Sequence, residues 1–155
     1  MLAAGASTRY GGVKQRELLP AVLTALGELP YPVVVVEGAH ALDPPDGGRL
    51  VSCADWERGP GASLRCGLRA LAPTVTRAAI VLADGPDLDP RAVERLLAHD
   101  APVAAATYDG RTRNHPVALD RSIWETVPDD GARALEPVLV DCSDLRPPDD
   151  VDVRR

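Results

Sequence analysis

Met1-Leu2-Ala3-Ala4-Gly5-Ala6-Ser7-Thr8-Arg9-Tyr10-Gly11-Gly12-Val13-Lys14 opens the chain. Four apolar residues run into a glycine-rich loop, and the loop ends on the sequence's single lysine. Of the 17 Lys plus Arg residues one is Lys14, so 16 are Arg. A chain that carries its positive charge on Arg has kept one compact ammonium, a group suited to a phosphate oxygen where a planar guanidinium fork is bulkier. Glycines let backbone N–H groups turn toward an anion without interference from Cβ. The loop with Arg9 and Lys14 therefore reads as a cradle for a polyphosphate. The spacing fits neither G-x-x-x-x-G-K-[ST] nor G-x-G-x-x-G, so on spacing alone an ordinary glycine turn is equally open.

Outward from this loop, helix and strand patterns alternate. Gln15 to Leu26 has Leu18, Leu19, Val22, Leu23 and Leu26 at helical spacing. Val33 to Val36 is a continuous apolar run, as in a strand covered on both faces. After a Pro/Gly/Asp loop, Leu50 to Cys53 reads as a short strand and Ala62 to Leu71 as a helix. Ala78 to Ala83 is a second buried strand that ends at Asp84. Pro90 opens a helix to about His99 with Asp89 as its N-cap. Val103 to Thr107 and Pro116 to Leu119 read as strands. This rhythm predicts an α/β fold with a largely parallel sheet. In such sheets ligands bind beyond the carboxyl ends of the strands. Gly5 and Asp84 both fall at such ends.

Asp84 follows six apolar residues and precedes Gly85-Pro86. Its carboxylate is placed to hold Mg²⁺, or to serve as a turn residue, since Asp-Gly-Pro is good turn chemistry. Near the end, Asp150 and Asp152 alternate onto one side of an extended segment; a solvated acidic run is the other reading.

At 155 residues the chain is expected to form one domain, residues 1–155, with a real core. Hydrophobic residues make up 45% and the mean hydropathy is −0.09, the balance of a soluble globular protein. No apolar run approaches the ~20 residues of a membrane span, and no secretory signal pattern opens the sequence, so a cytoplasmic protein with no membrane partner is expected. A net charge of −6 argues against a nucleic-acid binder. An acidic protein that binds a polyphosphate usually needs a divalent metal between its carboxylates and the anion. Cys53, Cys66 and Cys142 form no C-x-x-C pair and are odd in number, so all three are expected as reduced, buried thiols. The sequence holds no Phe; Val, Leu, Ala and Ile must build the core. Trp56 and Trp124 are expected to pack, although Trp56 lies near Ser63. Four residues before the loop are few for a central strand, where about five or six are usual, so a chain lengthened ahead of Met1 is expected to melt higher.

Several motifs then converge. Leu2 to Lys14 resembles the L-A-A-G-x-S-x-R-x-G-x-x-K signature of molybdenum-cofactor nucleotidyltransferases, and of these the cytidylyltransferase-like branch. Gly59-Pro60-Gly61-Ala62-Ser63-Leu64-Arg65-Cys66-Gly67-Leu68 resembles the family's G-x-x-x-S-L-R-x-G-L segment, and Leu82-Ala83-Asp84-Gly85-Pro86-Asp87-Leu88 its L-A-D-Q-P-x-L. His115-Pro116-Val117 matches the later G-H-P-V. Asp130-Gly131-Ala132-Arg133 resembles its G-D-x-G-A-R region, and Asp150-Val151-Asp152 the start of D-[IV]-D-T-P-E-D-L. The matches run in family order. Gly85 stands where Gln is common, Asn114 where Gly precedes His-Pro, and Val153-Arg154-Arg155 replaces T-P-E-D-L.

The resemblance implies a three-layer α/β/α Rossmann-like sandwich on a mostly parallel mixed sheet. It implies Mg²⁺-dependent transfer of a nucleoside monophosphate from an NTP to a phosphorylated small molecule, with release of pyrophosphate. Leu2, Ala3, Ala4, Gly5, Ala6, Ser7, Gly61, Ser63 and Arg65 would bind the nucleotide. Arg9, Lys14 and Asp84 would be catalytic, Asp84, Asp150 and Asp152 would hold metal, and His115 would contact the acceptor. Ala4 and Ser63-Leu64-Arg65 resemble the cytidylyl branch, which points to CTP as donor and molybdopterin as acceptor, with a cofactor-receiving enzyme as a further partner. A sugar phosphate, or a phospho-acid such as phospholactate, is the alternative acceptor. A degenerate, non-catalytic nucleotide-binding domain is the alternative from another class.

Overall fold

The computed structural model describes residues 1–6, 13–46 and 48–148. Three α-helices alternate with strands: α1 (Lys14–Leu26), β1 (Val33–Glu37), β2 (Gly48–Ser52), α2 (Pro60–Arg69), β3 (Arg77–Ile80), α3 (Pro90–Leu97), β4 (Val103–Thr107), β5 (Asn114–Asp120) and β6 (Val138–Asp141). β1 pairs with β2 in parallel. A second sheet has the order β3-β5-β4-β6. Within it β5 runs antiparallel to both neighbours, and β4 pairs with β6 in parallel. Leu2 joins the two sheets by single parallel bridges to Val36 and to Leu82. The opening residues thus lie at the centre, between β1 and the continuation of β3.

Alternation along the strands sorts the helices into two outer layers. Val35 packs with Leu19 of α1, while Val34 and Val36 pack with Cys53 on the opposite face. Ala104, Ala106 and Ala118 meet Ala92 and Leu96 of α3; Ala105, Val117 and Leu119 meet Leu64 and Leu68 of α2. Val22 and Leu26 of α1 share a cluster with Val93 of α3, so these two helices cover one face and α2 the other. Side chains of successive strand residues point to opposite faces, and the small Ala run of β4 lets both helix layers approach closely. The result is the three-layer α/β/α arrangement expected from the sequence. Trp124 is buried, with its indole N–H donating to Leu119 O at 3.2 Å.

Asp89 caps α3: its carboxylate accepts the Arg91 N–H at 3.0 Å. Two features depart from the sequence reading. β6, with Val138 and Leu139 exposed at an edge, lacks the apolar alternation that reveals a strand; its pairing with β4 creates it. Cys53 and Cys66 are joined in a disulfide with Cα atoms 5.9 Å apart, which corrects the expectation of three free thiols; only Cys142 is free and buried. The odd count hid the pair because the end of β2 and the second turn of α2 meet only in the folded chain.

Candidate active site

The carboxyl ends of the central strand and of β3's continuation open into a crevice of about 350 Å³. Ala4, Gly5, Gln15, Trp56, Ser63 and Asp84 are among its walls, together with Leu2 and Ala3. Lys14, the first residue of α1, is buried, and its Nζ donates at 3.0 Å to Oδ2 of Asp84 on the crevice wall. The Lys14 side chain is 8% exposed and that of Asp84 32%. The two charged groups on which the sequence reading centred are therefore brought together from positions 70 residues apart.

The turn that carries Gly5 is held from several sides. Gln15 Nε2 donates to Gly5 O at 2.9 Å, Ala39 N–H to Ala4 O at 3.1 Å, and His40 Nε2–H to Ala6 O at 3.1 Å. A carbonyl only accepts, so this last contact places the His40 proton on Nε2. Gln15 and His40 were not legible as site-building residues. Their signal lies in tertiary contacts with backbone oxygens, which leave no sequence spacing. Trp56 also proves more than a packing residue, since it lines the crevice. A Cβ built on Gly38 would lie 2.6 Å from Trp56 Cβ and 2.8 Å from Ala4 Cβ, so Gly38 lets the two walls close on each other.

The remaining expected site residues divide between the crevice and other places. Ser63 is buried on α2 and faces the crevice. Arg65, about half a turn further round the helix, bonds Val127 O and the Asp129 carboxylate instead. Gly61 donates its N–H to Asp129 O at 2.8 Å, and a Cβ there would come within 1.8 Å of Pro128 O. Its missing side chain serves helix-to-loop packing. His115 belongs to β5 and lines, with Leu82, Gly85 and Leu88, a separate void of about 10 Å³. Ser7, Arg9, Asp150 and Asp152 lie outside the described residues.

Asp84 is the carboxylate available to a cation in this crevice among the described residues, where no group of three or more His, Cys, Asp or Glu gathers. One carboxylate fits a Mg²⁺-type ion, which keeps several waters and takes its remaining ligands from substrate phosphates. Among the described residues no helix is long and apolar enough to cross a membrane.

Known structures share this fold. The structure is similar to a homologue of Mycobacterium tuberculosis Rv0371c from Mycobacterium sp. strain JC1, with a TM-score of 0.77 and 24% identity over 99% of this chain and 88% of that one. It is similar to Rv0371c of M. tuberculosis H37Rv itself, with a TM-score of 0.74 and 24% identity over 98% and 90%. A nucleotidyl transferase from Methanothermobacter aligns with a TM-score of 0.66 and 19% identity over 86% and 76%. At these identities the likeness establishes the fold. No curated protein matches in sequence. Residues 1–140 match the model of the MobA-like NTP transferase domain. The chain belongs to the MobA-like NTP transferase family and is a nucleotidyltransferase.

Proposed function

We propose that the chain transfers CMP from CTP to molybdopterin in the cytoplasm, in a Mg²⁺-dependent reaction that releases pyrophosphate. The observation that carries this reading is the Lys14–Asp84 pair at 3.0 Å, beside a crevice that Gly5 and Asp84 both line. In the free protein each group satisfies the other. With nucleotide bound, Lys14 Nζ turns to the β- and γ-phosphate oxygens and Asp84 is released to a cation. Both charges are thus held in place, and partly desolvated, before substrate arrives, which is the condition under which charge stabilisation is strongest.

An acceptor phosphate oxygen attacks the α-phosphorus in line; the bond to the β-phosphate bridging oxygen breaks, and its electron pair leaves with pyrophosphate. Little covalent work falls to the protein, so positioning and charge neutralisation dominate. Lys14 neutralises the leaving pyrophosphate. Arg9 is proposed to help, and Asp150 and Asp152 to join Asp84 in holding the cation. A bound divalent cation supplies Lewis-acid polarisation of the phosphate. Ala4 and Ser63 are among the crevice walls. The Ala4 methyl is proposed to narrow the base site in favour of a pyrimidine. His115 is proposed to contact the acceptor.

Initial rates of pyrophosphate release with each of the four NTPs and molybdopterin test the reading. CTP should give the highest kcat/KM, and a clear preference for GTP would sink the assignment of the donor.

A further inference from the structure

We propose that the Cys53–Cys66 disulfide is a thiol–disulfide switch that sets how well one wall of the crevice is ordered, and so how tightly the nucleotide is held. The inference rests on the crevice being the nucleotide site. Cys53 directly follows β2, and Cys66 lies on α2, 13 residues later. The closed loop between them carries Trp56, Gly59, Pro60 and Ser63, every one of which lines the crevice. No other covalent tie holds this wall. At its α2 end the bonds of Gly61 N–H and Arg65 to Asp129 and Val127 hold it noncovalently. At the Trp56 end, Trp56 packs on Gly38, Arg58 pairs with the Asp129 carboxylate at 3.2 Å, and the disulfide supplies the covalent tie.

The two sulfurs are unequal in access. Cys53 is fully buried, whereas Cys66 is half-buried and opens on a surface pocket beside Arg65 and Arg69. A dithiol reductant therefore reaches Cys66 Sγ. Its thiolate attacks that sulfur, the S–S bond breaks, and Cys53 leaves as a thiolate that takes up a proton. The reductant's second thiolate then attacks the mixed disulfide, releasing Cys66 as a thiol and the reductant as its own disulfide. Two electrons pass from the dithiol to the protein. The reduced state is provided for: Cys53 Sγ lies 3.6 Å from Ala62 O, within reach of an S–H donor. A disulfide in a protein of reducing compartments is most often transient or sensing rather than structural, and this one encloses the site.

The test compares the oxidised protein with protein reduced by dithiothreitol and alkylated. Measurements are hydrogen exchange across residues 54–63 and calorimetric binding of a nonhydrolysable CTP analogue with Mg²⁺. Thiol titration in denaturant should count one thiol before reduction and three after. Reduction should speed exchange in this segment. If the wall is competent about a tenth of the time, apparent nucleotide affinity falls about tenfold, with KM raised more than kcat is lowered. Reoxidation of unalkylated protein should restore both. Cys66→Ser should show the weaker affinity whether or not dithiothreitol is present, and the chemically reduced parent gives the same comparison if that variant does not fold. Equal exchange and equal affinity in the two states overturn the switch, as does a thiol count of three that oxidant cannot lower. A clear exchange contrast with no nucleotide binding in either state overturns instead the reading of the crevice as a nucleotide site.

Discussion

Replacing Lys14 with Met separates the charge from the packing. Met keeps most of the buried stem and deletes the ammonium that sits 3.0 Å from Asp84. At an effective dielectric of ~20, the attraction across that distance is about 5 kcal/mol. Desolvating an ammonium that is only 8% exposed offsets most of it. Asp84, 32% exposed, remains within reach of water when its partner goes. The loss of stability should therefore be about 1–2 kcal/mol, below the ~3–5 kcal/mol of a fully enclosed pair. For a chain of this length that is a fall of roughly 2–8 °C in melting temperature. Catalysis should suffer far more, because no other lysine can replace the lost charge: a fall of ~10²–10³ in kcat is the scale for removing one preorganised electrostatic donor. Lys14→Arg should recover stability better than turnover, since the fork is larger and differently directed. Asp84→Asn should also abolish turnover, but by weakening Mg²⁺-dependent nucleotide binding. Pyrophosphate release at saturating NTP and calorimetric melting, run on the parent and the three variants, provide the comparison. Turnover of Lys14→Met within about threefold of the parent, at an intact fold, would refute the assignment of Lys14 to the phosphates, because a charge worth ~10² cannot be absent at so small a cost.

Two further outcomes concern the frame of the site. Gly61→Ala should fail to fold or melt far lower, because the added Cβ would meet the backbone oxygen of Pro128 at 1.8 Å; thermal melting checks this, and a parent-like melting temperature would mean that loop 128–129 yields freely. The Met1 α-amino group donates to Val34 O at 2.7 Å, and burial pulls its pKa from 8.0 down to about 5. The folded chain thus holds a neutral amine at pH values where the unfolded chain binds a proton. Its contribution is fully present above pH 8 and is lost as pH falls toward 5, at no more than about 1.4 kcal/mol per unit. Urea unfolding between pH 5 and 8 measures the slope. An amide in place of that amine, in a chain carrying apolar residues ahead of Met1, should abolish the slope and raise the melting temperature. Such residues can enter the apolar cavity of about 220 Å³ that Met1, Val34 and Ala79 help to line. Unchanged melting of that chain would count against the cavity's being a strand slot.

The sequence by itself determined what is local or periodic. The Val33–Val36 run, the helical spacing of Leu19, Val22 and Leu26, and Asp89 ahead of Pro90 fixed their elements, because propensity, capping and burial pattern all act within a few residues. The glycine loop with its single lysine, and an aspartate at a strand end, marked the chemistry. Tertiary structure decided everything that depends on two distant segments meeting. It aimed Lys14 at Asp84 and recruited Gln15, His40 and Trp56 to the crevice. It also took Arg65 and Gly61 away to Asp129 and Pro128. The residue types at positions 61 and 65 are the same whether they serve a nucleotide or a loop; only the helix's rotation about its axis chooses, and packing of Leu64 and Leu68 into the core sets that rotation. β6 exists because β4 offers it an edge, and the Cys53–Cys66 bond exists because β2 delivers one sulfur beneath α2. Neither pairing has a sequence period, since contacts made across folded elements obey distance in space rather than spacing along the chain.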